Sequence, residues 1–459
     1  MPQSKTPLQF FAAIATSFLL TQSARAQYPI KITLTLPEVE KAALAHSHVI
    51  AAAKAESEAA QSGAAAQYSF ILPRLTLEGS WGYDTAIPEA KLGTLNVPFG
   101  THVNTAIGPA LDYTLWDEGA LYRSWKSQKA QAQSAAAQER LARRQTLLSA
   151  RLAFFQAQLA SDQTKLLADS LSLSLAQYKD IFTRYHGGTS SKIDSLTSHQ
   201  DVLLRESEFR QAQVNLASSL REIFTLMGKD QSFDLTRPVA ADIADNLPKE
   251  TSAPTAFVEI ESPTGEQRPS FVTTPNSQHP EIRAYAMLEE SSKLAAKAEA
   301  AGAWPKIQLS ARSYYYYPDV MIDINPTYLY QNTVGLTASV PLFEGGKSAE
   351  KSKQEMEIAK AAHHRKEEAA ENLGRDYLKA KDQLTELYDQ EKLDIQSVKE
   401  TSELARLVYS AYRAGHTTIV EVQDADLRSL QAGIEAARTQ AQIRIQIATL
   451  NYISGDPDE

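Results

Sequence analysis

The chain contains no cysteine, so disulfide cross-links and zinc-thiolate sites are excluded. Cationic residues are outnumbered: 46 Lys and Arg against 55 Asp and Glu leave a net charge of -9, the wrong sign for a nucleic-acid partner. No segment offers 18 consecutive apolar residues, so the sequence predicts no transmembrane helix. The only exported-type signal lies at 1–26, where Lys5, an apolar stretch from Leu8 to Leu20 and Ala24-x-Ala26 form a secretory signal peptide. Cleavage after Ala26 leaves Gln27 at the mature end, which excludes a lipoprotein anchor. Catalytic constellations are also missing. There is no phosphate-binding glycine loop and no nucleophile motif, and His363 and His364 are adjacent, so they diverge on a helix. His46 and His48 read as solvated surface in the same way. The expectation is a non-enzyme without cofactor or resident metal, whose energy must come from a partner.

Glycine and proline are absent from Ala120 through His186. At about 1.5 Å per residue such a run extends about 100 Å as a helix, too long for a globule. Its leucines recur every seven residues, at Leu152, Leu159, Leu166 and Leu173, with Leu141, Leu148 and Phe155 as a companion row. The following run, 189–228, continues with Val202, Phe209, Leu216 and Ile223. Sustained heptads predict coiled-coil packing of neighbouring helices. Lys347 to Ser454 repeats the design, interrupted by Gly374 and Gly433.

The punctuation between these runs occurs twice. YHGGTSSKIDS at 185–195 lies over YRAGHTTIVEV at 412–422, and Tyr412 minus Tyr185 and Gly415 minus Gly188 both give 227. LWDEG at 115–119 and LFEGG at 342–346 keep this offset; upstream, ILPRLTLEGS at 71–80 lies over AWPKIQLSAR at 303–312 with an offset of 232. The chain therefore reads as two homologous halves, 27–228 and 277–455. Between them, 229–276 carries six prolines, from Pro238 to Pro275, and reads as a surface connector; 456–459 is a tail. Gly187-Gly188 and Gly415 mark turns at which each long helix reverses into an antiparallel partner. The expected helices are 120–186, 189–228, 347–414 and 416–454.

Each hairpin is preceded by two stretches of alternating apolar and polar residues, at about 74–84 and 103–116 and again at about 306–317 and 331–343. In the first, Leu75, Leu77, Gly79 and Trp81 oppose Thr76, Glu78, Ser80 and Gly82. Each stretch has the length of a tilted membrane-crossing strand, and the tyrosines at 314–317 with Tyr328 and Tyr330 suit an interfacial girdle. Four strands cannot close a barrel, and lipid does not tolerate open edges, so several copies must pool their strands around one pore.

Taken together, the duplicated halves, Pro73 and Pro305 before the first strand of each, VPLFEGGKSAE at 340–350 and YRAGHTTIVEVQDA at 412–425 resemble the TolC-type outer membrane efflux proteins and their Y-x-x-G-x-x-x-x-x-D-V-x-D-A signature. The resemblance implies a mainly α protein with a transmembrane β-barrel portion. A homotrimer would close 12 strands and continue them as a periplasmic α-helical tunnel, with 229–276 in an equatorial belt. It implies an outer-membrane location, and partnership with a periplasmic adaptor protein and an inner-membrane transporter. An acidic ring at the periplasmic entrance maps to Glu421 and Asp424, with Asp194 as the first-half equivalent, and Tyr412 matches a tyrosine that helps tie the entrance shut. Thr417 stands where the best-studied type has an arginine, and Lys192 lies two residues before Asp194. The adaptor would dock at the tips: Gly187, Gly188 and Thr189, and Gly415, His416 and Thr417. Three copies of each carboxylate around one axis would favour cations. Small-molecule efflux is the expected task. Protein secretion, metal-ion efflux and a pore-free periplasmic scaffold remain as alternatives, although five methionines and no cysteine supply no soft-ligand path for a metal.

Overall fold

The computed structural model describes residues 32–87, 89–98, 101–229, 258–260, 278–317 and 328–454. The proposed signal peptide and nearly all of the 229–276 connector lie outside them. The chain divides into two units. In the smaller, residues 1–33 and 238–259, the described part belongs to strands β1 (Ile32–Leu34) and β6 (Val258–Ile260), which pair as a two-stranded sheet. All else belongs to the larger unit.

That unit is built on four long helices. α3 (Ala120–His186) and α6 (Lys347–Arg413) have 67 residues each, and α4 (Lys192–Met227) and α7 (Ile419–Ser454) have 36 each. Both pairs are separated by 227 residues, as 347 − 120 and 419 − 192 show. Each 67-residue helix begins after two residues of left-handed backbone, Glu118-Gly119 (φ 55° and 74°) and Gly345-Gly346 (φ 62° and 81°). Asp117 stabilises the first of these junctions, accepting from the Gly119 and Leu121 amides at 3.0 and 2.9 Å. The shorter helices α1 (Leu36–His46), α2 (His48–Ser69) and α5 (Pro280–Ala301) pack alongside: α2 and α5 on α3, and α5 also on α6. α4 and α7 both pack on α3, and α7 also on α6.

Burial on α4 follows the expected heptad, with Val202, Phe209, Leu216 and Ile223 all buried. α3 departs from it. Of the two leucine rows only Phe155 is fully buried, and Leu173 is 47% exposed, whereas eight alanines between Ala130 and Ala160 are buried. A helix flanked on both sides spreads its contacts around its circumference, and small side chains let several neighbours approach at once. Nor do Gly374 and Gly433 interrupt the second pair; both lie inside unbroken helix. Gly433 instead admits Leu166 of α3 to within 3.4 Å of where its side chain would be.

The sheet runs in the order β2–β5–β7–β8, formed by β2 (Arg74–Tyr83), β5 (Val103–Trp116), β7 (Lys306–Tyr317) and β8 (Leu329–Ser339), every neighbour antiparallel. A separate hairpin, β3 (Glu89–Leu92) with β4 (Leu95–Pro98), sits between β2 and β5 in the chain. The fourth strand ends at Ser339 rather than 343, because Pro341 has no amide to donate to a ladder. The helices after each tip start at Lys192 and Ile419, three residues later than the spacing predicts. Ser191 caps the first by accepting from the Asp194 amide at 3.0 Å, and Thr418 receives the Glu421 amide at 3.4 Å, so both residues stay outside the helix.

Candidate functional site

The residues that the sequence singles out lie in two regions, the sheet and the hairpin tips. In the sheet, register sorts the residues by polarity. Leu75, Leu77 and Trp81 of β2 face across from Leu111, Pro109 and Thr105 of β5; Ile107 pairs with Tyr315 of β7, and Tyr315 with Tyr330 of β8. This face is apolar and open, with Leu77 and Val334 each 75% exposed and Trp81 69%. The opposite face carries Glu78, Asp112, Arg312 and Tyr314. Arg312 reaches Asp112 at 3.4 Å, Thr76 donates to Glu78 at 3.4 Å, and the Tyr314 hydroxyl also donates to Glu78. Gly108 lies on this polar face beneath the Tyr314 ring, where a side chain would collide with the β7 backbone. No described helix is long and apolar enough to cross a membrane; the apolar face of the sheet is exposed.

At the tips the two turns share one backbone. After α3, Gly188 (φ 75°) donates to Tyr185 O and Thr189 donates to Arg184 O. After α6, Gly415 (φ 80°) donates to Tyr412 O and His416 donates to Ala411 O. This is the left-handed closure that glycine supplies without steric cost. Gly187, by contrast, has right-handed backbone. Gly187, Gly188, Thr189, Gly415 and His416 are exposed, and Thr417 is half-buried with its Oγ1 enclosed and unpaired.

Side chains then tie one tip to the other. Tyr412 hydrogen-bonds Ser190, which donates to Asp194 at 3.2 Å. Burial, opposed by the Ser190 hydrogen bond and reinforced by the Asp194 charge, raises the Tyr412 phenol above its ordinary pKa. Of the predicted entrance residues, Tyr412 and Asp194 are thus brought together. Glu421 is exposed, and Asp424 is held by Arg428 one turn along at 2.8 Å.

Three groups at this end escaped the sequence reading. Asp180 accepts the Tyr409 hydroxyl at 3.1 Å and meets Arg184 at 3.2 Å and Arg413 at 3.9 Å. Burial first, then the Asp180 charge, pushes the Tyr409 phenol up to about 12. Higher up, Arg205 is buried beside Asp201 at 3.5 Å and Glu208 at 3.1 Å. Gln177 donates to Asp426 at 2.8 Å from α3 to α7. Burial outweighs the Arg205 charge, so Asp201 and Asp426 both sit above the ordinary carboxylate range. Elsewhere, His363 does not stand alone in solvent: with Lys293 and Lys366 it surrounds Glu289. Burial pushes the Glu289 carboxyl up, but these three partners outweigh it and hold it at about 2. Among the described residues no cluster has the makings of a metal site.

The family model described as outer membrane efflux protein matches residues 39–229 and 276–456. No curated protein matches the chain. Among solved structures, a membrane protein from Pseudomonas aeruginosa is similar with TM-score 0.72 at 17% identity, over 92% of this chain and 93% of that one. The outer membrane protein VceC of Vibrio cholerae gives 0.71 at 16%, over 92% and 97%. The CmeC outer membrane channel of Campylobacter jejuni gives 0.71 at 13%, over 99% and 94%. Identities this low establish the shared fold. Both halves of the chain carry the family match, and the protein belongs to the outer membrane efflux protein family, whose members are channels of the outer membrane rather than enzymes.

Proposed function

We propose that the chain assembles as a homotrimer whose three four-stranded sheets close one 12-stranded barrel in the outer membrane, continued by its helices as a periplasmic tunnel. The observation that carries this is the sheet, apolar on one face and polar on the other, with β2 and β8 as open edges. Alternating strand direction makes β2 and β8 run opposite ways, so edge-to-edge joining of copies stays antiparallel around a ring. Closure removes the edges that lipid excludes and turns Glu78, Asp112 and Arg312 toward water. The cargo is small molecules, drugs or other toxic compounds, received from a periplasmic adaptor and an inner-membrane transporter. The adaptor docks at Gly187, Gly188, Thr189, Gly415, His416 and Thr417. Tyr412 and Asp194 fasten the entrance, and Glu421 with Asp424 gives it cation preference.

Mass measurement in detergent and planar-bilayer conductance test the assembly together: a conducting trimer is expected, and a non-conducting single subunit ends the proposal. Glu421→Ala with Asp424→Ala should weaken cation preference and cation block in single-channel records; unchanged records remove the gate assignment. Gly415→Trp should abolish transport in cells while leaving the trimer intact, and normal transport would count against docking at the tips.

A further inference from the structure

The first turns of α3 carry a strip of side chains that the second half lacks. Tyr122, Trp125, Lys126 and Lys129 are spaced i, i+3, i+4 and i+7, so they share one face of the helix. Tyr68 from the end of α2 completes the strip, its ring centroid 5.2 Å from that of Trp125, which lies 5.5 Å from Tyr122. Both lysines bend back toward the sheet: Lys126 Nζ is 4.7 Å from the centre of the Tyr122 ring, and Lys129 Nζ is 5.6 Å from that of Trp125. Tyr122 and both lysines are exposed, and among the described residues neither ammonium meets a carboxylate. The residues 227 after the four on α3 are Ala349, Ser352, Lys353 and Met356, and the one 232 after Tyr68 is Ala300. The counterpart therefore has no ring and a single lysine.

The strip lies on the apolar side of the wall. Asp84, next after β2, donates its amide to His102 O at 2.8 Å, so the even-numbered residues of β2 hydrogen-bond toward β5. For L-residues this puts β5 to the right of β2, seen from the polar face with β2 rising. α3 packs between α2 and α5, in the order of the strands that they adjoin. Ser127 and Ser134 mark its α5-facing flank, where they meet Ser291 and the Ala284 carbonyl. Right-handed winding from that flank carries the strip to the side that bears Leu75, Leu77 and Trp81. Counted from Ala120 at about 1.5 Å per residue, Tyr122 lies about 3 Å and Lys129 about 14 Å below the start of α3. Both ammoniums lean back up by a turn, to the level where headgroups succeed hydrocarbon.

We infer that this strip binds an anionic glycerophospholipid of the periplasmic leaflet, its headgroup on Lys126 and Lys129 and its glycerol and upper chains on Tyr68, Tyr122 and Trp125. Position selects a lipid, because the strip continues the apolar sheet face on the same side of the wall. Charge selects the headgroup, because two ammoniums without a carboxylate partner call for a negative counter-charge. The strip spans the α2–α3 seam within one chain, so every subunit holds a complete site. This inference rests on the sheet meeting lipid, as proposed above.

Native mass measurement on the full-length protein in detergent tests this, with phosphatidylglycerol, phosphatidylcholine or inorganic phosphate added. The parent should retain phosphatidylglycerol in preference to phosphatidylcholine. Lys126→Gln with Lys129→Gln should weaken that retention about 30-fold, at roughly five-fold per lysine. Lys353→Gln, at the counterpart position, should leave it unchanged. Equal retention by the double variant overturns the inference, and so does phosphatidylcholine held as tightly as phosphatidylglycerol by the parent. Displacement of the lipid by an equal concentration of inorganic phosphate would mean a bare anion site and end the lipid assignment. The same spectra read the number of subunits. An intact trimer without lipid preference overturns this inference alone, whereas a single subunit that keeps the preference overturns only the trimer.

Discussion

The α3–α4 and α6–α7 hairpins are the same object in backbone and different objects in side chains. Helix lengths, left-handed entry residues and the glycine-closed tips coincide at an offset of 227. Yet Arg205, Asp180 and Glu118 of the first correspond to Ala432, Leu407 and Gly345 of the second. Backbone geometry is set by what the local residues permit, and both copies permit the same turn. Side chains answer to what lies opposite, and the two hairpins have different neighbours: the first is tied to the second through Asp180, Gln177 and Asp194, while Leu404 and Leu407 of the second are exposed.

The charge buried in the first hairpin alone gives the largest expected difference. Arg205→Ala should cost about 3–5 kcal/mol in denaturant unfolding, because Asp201 and Glu208 lose the cation beside them. The second hairpin already carries alanine at this place. Asp201 and Asp426 have folded pKa values raised above the unfolded ones, so their contribution to stability is fully present below the ordinary carboxylate pKa and is lost as pH rises through the folded values. The gap between Arg205→Ala and the parent should accordingly narrow in mild acid, where the carboxyls left without a cation take up protons.

Substitutions at the shared turn should erase the difference. Gly188→Val and Gly415→Val each force a β-branched residue into left-handed backbone with open space around it, so strain is the whole effect, about 1–2 kcal/mol at both tips by thermal unfolding. Unequal losses would mean that the tips are less alike than their φ angles. A smaller effect of opposite sign belongs to Glu118→Gly, which copies Gly345 into the first half and relieves the left-handed glutamate. A gain of up to about 1 kcal/mol is expected, reduced by the loss of its 4.0 Å ion pair with Arg123.

The subtlest difference is spectroscopic. Asp180→Asn should bring the Tyr409 phenol down from about 12, leaving it above the ordinary value because burial remains. Absorbance titration of the phenolate measures this. Tyr409 has its folded pKa raised, so its contribution to stability is present below the ordinary phenol pKa and is lost as pH climbs toward about 12; Asp180→Asn should shorten that alkaline window.

The features legible in the sequence are those with a local cause. The 67-residue helix was readable because nothing in it breaks a helix, its end because Gly188 follows, and the α4 core because its single main neighbour leaves one heptad stripe. Strand alternation was readable because a pleat sends successive side chains to opposite faces. The α3 core was misread as leucine rows, since burial there depends on helices packed from both sides. Asp180 and Tyr409, 229 positions apart, leave no periodic or motif signal, so no spacing argument picks either residue out. Gln177 with Asp426 is another such pair, 249 apart.

By itself, then, the order of residues determined the elements: where helices run, where glycine turns them, which strand positions are apolar, and that the plan occurs twice. Only the tertiary structure decided which repeated positions meet each other, which carboxylates are buried against a cation or a tyrosine, and which leucines of α6 are exposed. The physical reason is range. Dihedral preference and side-chain periodicity act within a few residues, whereas pairing across helices is chosen by packing and desolvation among groups that chain order keeps hundreds of residues apart.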